Sequence, residues 1–181
     1  MKFLALAFAA TASAAFAQSP VELKDTNAKY TMQLGGDIAW SVESDLTGEQ
    51  STIVAASPDG HEPFAVISAM TYLKVNSLAL MGASIAEKTT DNFLKGLCEN
   101  YKCADISERT YEEIGDHKAW VVTTQLELAD YKNLGVPEAL MIATVSPDGY
   151  MQLFSLHTAK GKSEAMKSIL IDAVKTIQPA P

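Results

Sequence analysis

The sequence predicts an α+β fold, a largely antiparallel β-sheet flanked by two main α-helices. Three observations lead there. Apolar residues alternate with period two in several short runs, as they do in strands with one face buried. Consecutive runs are joined by short turn signals, among them SPDG at 57–60 and again at 146–149; connections this short suit antiparallel neighbours, because parallel ones need long crossovers. Two segments, 77–97 and 163–177, change to helical spacing, and a helix with a single apolar stripe must lay it on a sheet.

Taken in order, residues 18–29 (QSPVELKDTNAK) are polar and read as a flexible leader to a single α+β domain spanning 30–178. In 30–43 Met32 and Leu34, then Ile38, Trp40 and Val42, alternate, giving two short strands or one strand broken at Gly35-Gly36. DLTGEQ at 45–50 is a turn, Thr52–Ala56 a strand, SPDG a turn, and Pro63–Tyr72 a further strand. From Ser77, a plausible N-cap, Leu78, Met81, Ile85, Thr89 and Phe93 recur at three- and four-residue spacing to about Leu97. Ile106–Ile114 has strand composition, GDHK at 115–118 is a turn, and AWVVTTQLEL alternates through Trp120, Val122, Thr124, Leu126 and Leu128. Glu138–Ser146 and Tyr150–Thr158 form a hairpin around the second SPDG. The last helix, Ser163–Ile177, places Met166, Ile169, Leu170, Ala173, Val174 and Ile177 on one stripe, and PAP at 179–181 is a C-terminal tail that stops it.

The first 17 residues form a separate segment. MKFLALAFAATASAAFA has one early lysine, an apolar run and a small-x-small end, the layout of a signal peptide cleaved after Ala17. An exported, periplasmic protein is the expectation. No later stretch is long and apolar enough to suggest a membrane span. The formal net charge of -8 disfavours nucleic-acid backbones and anionic membrane surfaces.

Both cysteines lie in LCENYKCAD, at Cys98 and Cys103. An oxidising compartment favours a structural disulfide, which on the chain-entropy account stabilises a loop of this length by roughly 2 kcal/mol. A thioredoxin-like redox pair has two intervening residues ahead of a helix, whereas these four follow one. Zinc would need two further ligands, and His61, His117 and His157 are scattered. The staple is favoured over free thiols, a redox pair or a metal site.

The arrangement resembles the PsbP/Mog1-like fold, which includes small secreted bacterial proteins of unknown function. The residues that carry the resemblance are GDIAW at 36–40, VSPDGYMQLFSL at 145–156 and ILIDAVKTI at 169–177. It covers roughly residues 28–178 and implies an antiparallel sheet flanked by helices. Roles among such proteins range from support of the photosynthetic oxygen-evolving complex to binding a small nuclear GTPase, so the resemblance implies a fold and no single role.

Chemistry-bearing residues are few. Asp59, His61 and Glu62 in PDGHEPF are the best acid–base candidates, although an exposed turn explains the same composition. His117 reads as part of an exposed GDHK turn. His157 shares a strand face with Met151 and Leu153, opposite Phe154 and Leu156, as a half-buried sheet residue or a pocket residue. Ser84 in MGAS lacks the nucleophile-elbow pattern, and no phosphate-cradling glycine motif occurs. Trp40 and Trp120 read as core residues. Tyr101, displayed inside the cysteine loop, is a candidate partner contact, since a rigid aromatic loses little entropy on binding. No catalytic set, cofactor or metal site is expected. The favoured reading is an exported non-enzymatic accessory or binding protein whose partner is another periplasmic protein or a small molecule, with Tyr101, His61 and His157 as binding candidates. A small hydrolase or metal-dependent enzyme using the 58–64 loop, and a carrier of a small apolar ligand, are the alternatives.

Overall fold

The structure, a computed structural model, describes residues 19–73, 92, 95–96, 98–99, 103–104, 110–115, 117–126, 138–146 and 148–181. Among them the strands form two antiparallel sheets. The small sheet contains β1 (Val21–Asp25), β2 (Tyr30–Leu34) and β11 (Gln178–Pro179) in the order β1-β2-β11. The large sheet contains β3 (Ser41–Asp45), β4 (Gln50–Ala56), β5 (Ala65–Tyr72), β6 (Cys103–Ala104), β7 (Thr110–Ile114), β8 (His117–Leu126), β9 (Glu138–Val145) and β10 (Met151–Thr158). Its order is β3-β4-β5-β10-β9-β8-β6, with β7 pairing β8 off that path.

One helix is delimited among the described residues, α1 (Ser163–Lys175). Its buried residues Met166, Leu170, Ala173 and Val174 follow the predicted stripe, and it packs on β10, β2, β9 and β7. The second helix expected over 77–97 lies mostly outside the described residues. Of that neighbourhood Asn92, Lys95, Gly96, Cys98 and Glu99 are helical. No helix among the described residues is long and apolar enough to cross a membrane. Residues 1–17, the expected signal peptide, lie outside the described set.

The core lies between the sheets. Leu23, Tyr30, Met32 and Leu34 of the small sheet meet Ile53, Ile67, Leu140, Ile142, Phe154 and Leu156 of the large one, with α1 closing the side. Tyr30 stands edge-on to Phe154, ring centroids 6.4 Å apart at an interplanar angle of 89°, a favourable arrangement for two π-systems. Strands β9 and β10 are buried on both faces.

Three expectations need correction. Residues 21–25 are not a loose leader. Leu23 and Asp25 turn inward while Glu22 and Lys24 face out, so a strand with one apolar face looks polar in sequence. The closing segment does more than stop the helix, because Gln178 and Pro179 pair with Thr31 and Tyr30, and the Ala180 N–H donates to the Lys29 carbonyl at 2.8 Å. Finally, Ile38 and Trp40 are buried before the strand begins. Strand β3 starts at Ser41, and all five of its residues are exposed. An edge strand bearing Glu43 and Asp45 is protected against pairing with another chain.

The two SPDG segments close in the same way. The Ser57 N–H donates to the Ala65 carbonyl at 2.9 Å, and the Ala65 N–H returns to Ser57 Oγ at 2.9 Å. Ser146 repeats this with Tyr150, at 2.7 and 2.9 Å. At the β7–β8 turn, Gly115 has φ +60, and a Cβ there would stand 3.4 Å from the Lys175 Cα, so the turn's close approach to α1 favours glycine.

Candidate functional site

Histidine 157 is the one sequence candidate that the fold places among other polar groups of the described core. Strands β5 and β10 pair antiparallel with Ser68 directly opposite Ser155. The pleat then puts His157, two residues on, on the same face as Ser155. Ser68 Oγ and Ser155 Oγ are 2.7 Å apart, and Ser155 Oγ is 2.9 Å from His157 Nε2. The three form a hydrogen-bonded row on the face of the sheet opposite Phe154 and α1.

A serine hydroxyl within hydrogen-bond reach of an imidazole is the geometry that activates a nucleophile. Access decides whether it can be used. Ser155 is 2% exposed and His157 5% exposed. Burial lowers the His157 pKa to about 4, because the charged imidazolium is disfavoured away from water. The ring is therefore neutral at neutral pH, and the row is a buried hydrogen-bond network of the sheet.

The 58–64 loop does not assemble an acid–base set. His61 is half-buried, and its Nδ1–H donates to the Pro63 carbonyl at 2.8 Å, whereas Asp59 and Glu62 are exposed. His117 is not in a turn; it opens β8 opposite Ile114 of β7. Among the described residues no group of three or more His, Cys, Asp or Glu side chains could hold a metal ion. Trp40 is in the core, 7% exposed, its Nε1–H donating to the Gly35 carbonyl at 3.4 Å. Trp120 falls in β8, paired with Ala143 of β9 and Tyr111 of β7. Tyr101 and Ser84 lie outside the described residues. Cys98 is helical and half-buried, Cys103 opens β6 opposite Leu126, and no free cysteine occurs among the described residues.

Two buried carboxylates were not legible in the sequence. Glu138, 8% exposed at the start of β9, accepts the Gly161 N–H at 2.7 Å and the Ser163 N–H at 3.0 Å. It serves as the cap that α1 lacks locally, since Lys162 at the N-cap makes no side-chain capping bond. Desolvation works to raise its pKa, but hydrogen bonds from the Ser163 hydroxyl and the Gly161 and Ser163 N–H groups, with the nearby Lys160 charge, lower it on balance. Asp25, 1% exposed, accepts the Asn27 and Ala28 N–H groups on one oxygen, both at 2.9 Å. A D-x-N sequence announces such a turn, but nothing in it announces burial.

No protein-family model matches the chain, and no curated protein does. Among solved structures, the solution structure of cyanobacterial PsbP (CyanoP) from Synechocystis sp. PCC 6803 superposes with a TM-score of 0.53 at 14% identity, over 94% of this chain and 98% of that one. The fold is PsbP-like. The resemblance read from GDIAW, the second SPDG unit and the closing helix therefore holds for architecture, and at this identity the likeness concerns the fold alone. In this PsbP-like frame the Ser68–Ser155–His157 row lies on the central β5–β10 pair, and Glu138 fastens the helix to the neighbouring strand.

Proposed function

We propose that the chain is an exported, non-enzymatic binding or accessory protein. The observation that carries this reading is the burial of Ser155 and His157, which keeps the Ser–His pair of the described core from meeting a substrate. The engagement of His61 Nδ1 by a backbone carbonyl, away from Asp59 and Glu62, supports it further. The signal-peptide layout of residues 1–17 supports export to the periplasm.

Two finer features belong to the same proposal. A second helix over 77–97 covers the sheet face opposite α1; in support, Met151, Leu153, Met141 and Ala143 are buried on that face, and residues 92, 95, 96, 98 and 99 are helical. A Cys98–Cys103 disulfide then ties the end of this helix to β6. Its support is that Cys98 is not a free thiol and the chain has one other cysteine. The loop so formed presents Tyr101 to a periplasmic protein partner.

Affinity capture from the periplasmic fraction tests the reading. A partner retained by the wild-type chain and lost with Tyr101→Ala, at unchanged Tm, is the expected result. Hydrolase activity that disappears with His61→Ala or His157→Gln, each shown to be folded, would overturn it.

A further inference from the structure

The interface between the two sheets contains a second polar group, unconnected with the function proposed above. Ser51, Thr71 and Gln152 are successive neighbours across β4, β5 and β10, because Ser51 and Gln152 each pair with Thr71. They share the face that carries Ile53, Ala69 and Phe154, looking toward the small sheet. Across from them stand Tyr30 of β2 and Asp25 of β1, themselves a register pair. Tyr30 stacks edge-on to Phe154, two residues from Gln152, and β1 packs on β4.

All five residues are 0–1% exposed. Yet Asp25 Oδ2, the Tyr30 hydroxyl, Ser51 Oγ, Thr71 Oγ1 and both Gln152 amide atoms have no hydrogen-bond partner. Burial pushes the Tyr30 phenol far up, the Thr71 hydroxyl lowers it and the Asp25 charge raises it again, so these groups sense one another without closing a bond of normal geometry. Six buried polar atoms left unpaired would cost about as much as the whole stability of a domain this size. Native interiors pair such groups, with protein or with ordered water.

We propose that this end of the inter-sheet space holds a cluster of at least two ordered water molecules bridging Asp25, Tyr30, Ser51, Thr71 and Gln152. Spacing selects water over a single ion. Neighbouring strands lie about 4.8 Å apart, so Ser51 and Gln152 stand about 10 Å apart across Thr71. Oxygen ligands of one hard cation lie about 2.0–2.6 Å from it and therefore within about 5 Å of each other. A chain of waters, each with two to four polar partners, spans the longer distance and also accepts from the Gln152 Nε2–H groups, which a cation cannot do.

Water–protein cross-relaxation on the full chain, labelled to resolve the Gln152 side-chain amide, tests the proposal. Cross-peaks to long-lived water, told from proton exchange by their rotating-frame sign, are expected. Thr71→Val removes a bridging hydroxyl at constant shape, so it should weaken these peaks and lower Tm by about 2–4 °C. A Tm that rises, with no water cross-peaks in the wild type, would mean a dry and unpaired Thr71 and overturn the proposal. A high-resolution crystal structure showing one ion with short oxygen contacts, or Asp25 and Gln152 paired directly with their neighbours, would overturn it as well. Should the Thr71 variant fail to fold, the wild-type cross-peaks and density decide.

Discussion

The two faces of β10 solve the same problem differently. On one, Ser155 Oγ reaches both Ser68 Oγ and His157 Nε2 within the sheet. On the other, Gln152 lies beside Thr71 across β5, and neither side chain closes a protein hydrogen bond. Register alone does not make the difference. Ser68 and Ser155, directly opposite on adjacent strands, meet at hydrogen-bond distance and His157 bends back onto Ser155, whereas Ser51 and Thr71, just as directly opposite, do not close a bond. On the far side the Tyr30 phenol rises from a second sheet, whose separation is set by Phe154 and Leu156. Register sets polar groups opposite one another on both faces, and on the inner face the spacing that apolar packing imposes sets what the second sheet can reach.

The largest expected effect is on the pH dependence of the paired face. The His157 pKa is about 4 in the folded chain against an ordinary 6.5. The unfolded chain takes up the proton first as pH falls, so the contribution is complete above about pH 6.5 and is lost toward pH 4. It amounts to about 3 kcal/mol by pH 4. Urea unfolding at pH 7.5 and at pH 4 should show this loss, and His157→Gln should flatten the curve between those values. An unchanged slope in the variant would show that burial does not hold the ring neutral.

Ser155→Ala comes next, at about 2 kcal/mol, because it removes the atom shared by both hydrogen bonds and leaves Ser68 and His157 buried. A double-mutant cycle with Ser68→Ala isolates the coupling; zero coupling would break the contrast between the faces. The smallest effect belongs to Glu138→Gln, about 1 kcal/mol, since the amide still caps one N–H of α1 while facing the other with a donor. Because the Glu138 pKa is lowered, its contribution is present above its ordinary value of 4.5 and lost as pH falls through the folded value. The variant should therefore flatten the acid limb below about pH 4.5 and leave the His157 window intact, which chemical unfolding at pH 3.5, 5 and 7 would resolve.

What the sequence announces here is local. The β9–β10 hairpin and α1 were legible because their pattern and their turn lie within a few residues of one another. The small sheet was not, since Gln178 finds Thr31 and the Gln33 N–H finds Thr176 Oγ1 from the other end of the chain. The face of β10 shared by Met151, Leu153 and His157 was read from alternation alone, but its partner Ser68 required the β5–β10 register, which no local pattern specifies. Glu138 and Asp25 look like ordinary surface acids. Their burial is imposed by the backbone N–H groups they serve, and those belong to turns that fold around them.

The serine closures of the two SPDG corners have a consequence for how this chain tolerates change. Ser57 and Ser146 each take both bonds of the returning residue, although one corner encloses residues 58–64 and the other only 147–149. Strand registration is thus set at the base of the corner, and the residues above it are released from that duty. Within the 58–64 segment the Phe64 carbonyl still accepts from the Thr158 hydroxyl at 3.1 Å, so the exposed residues 58–60 are the natural port for grafted peptides or reporter groups, a position where added length changes the decoration of the molecule and leaves its frame alone.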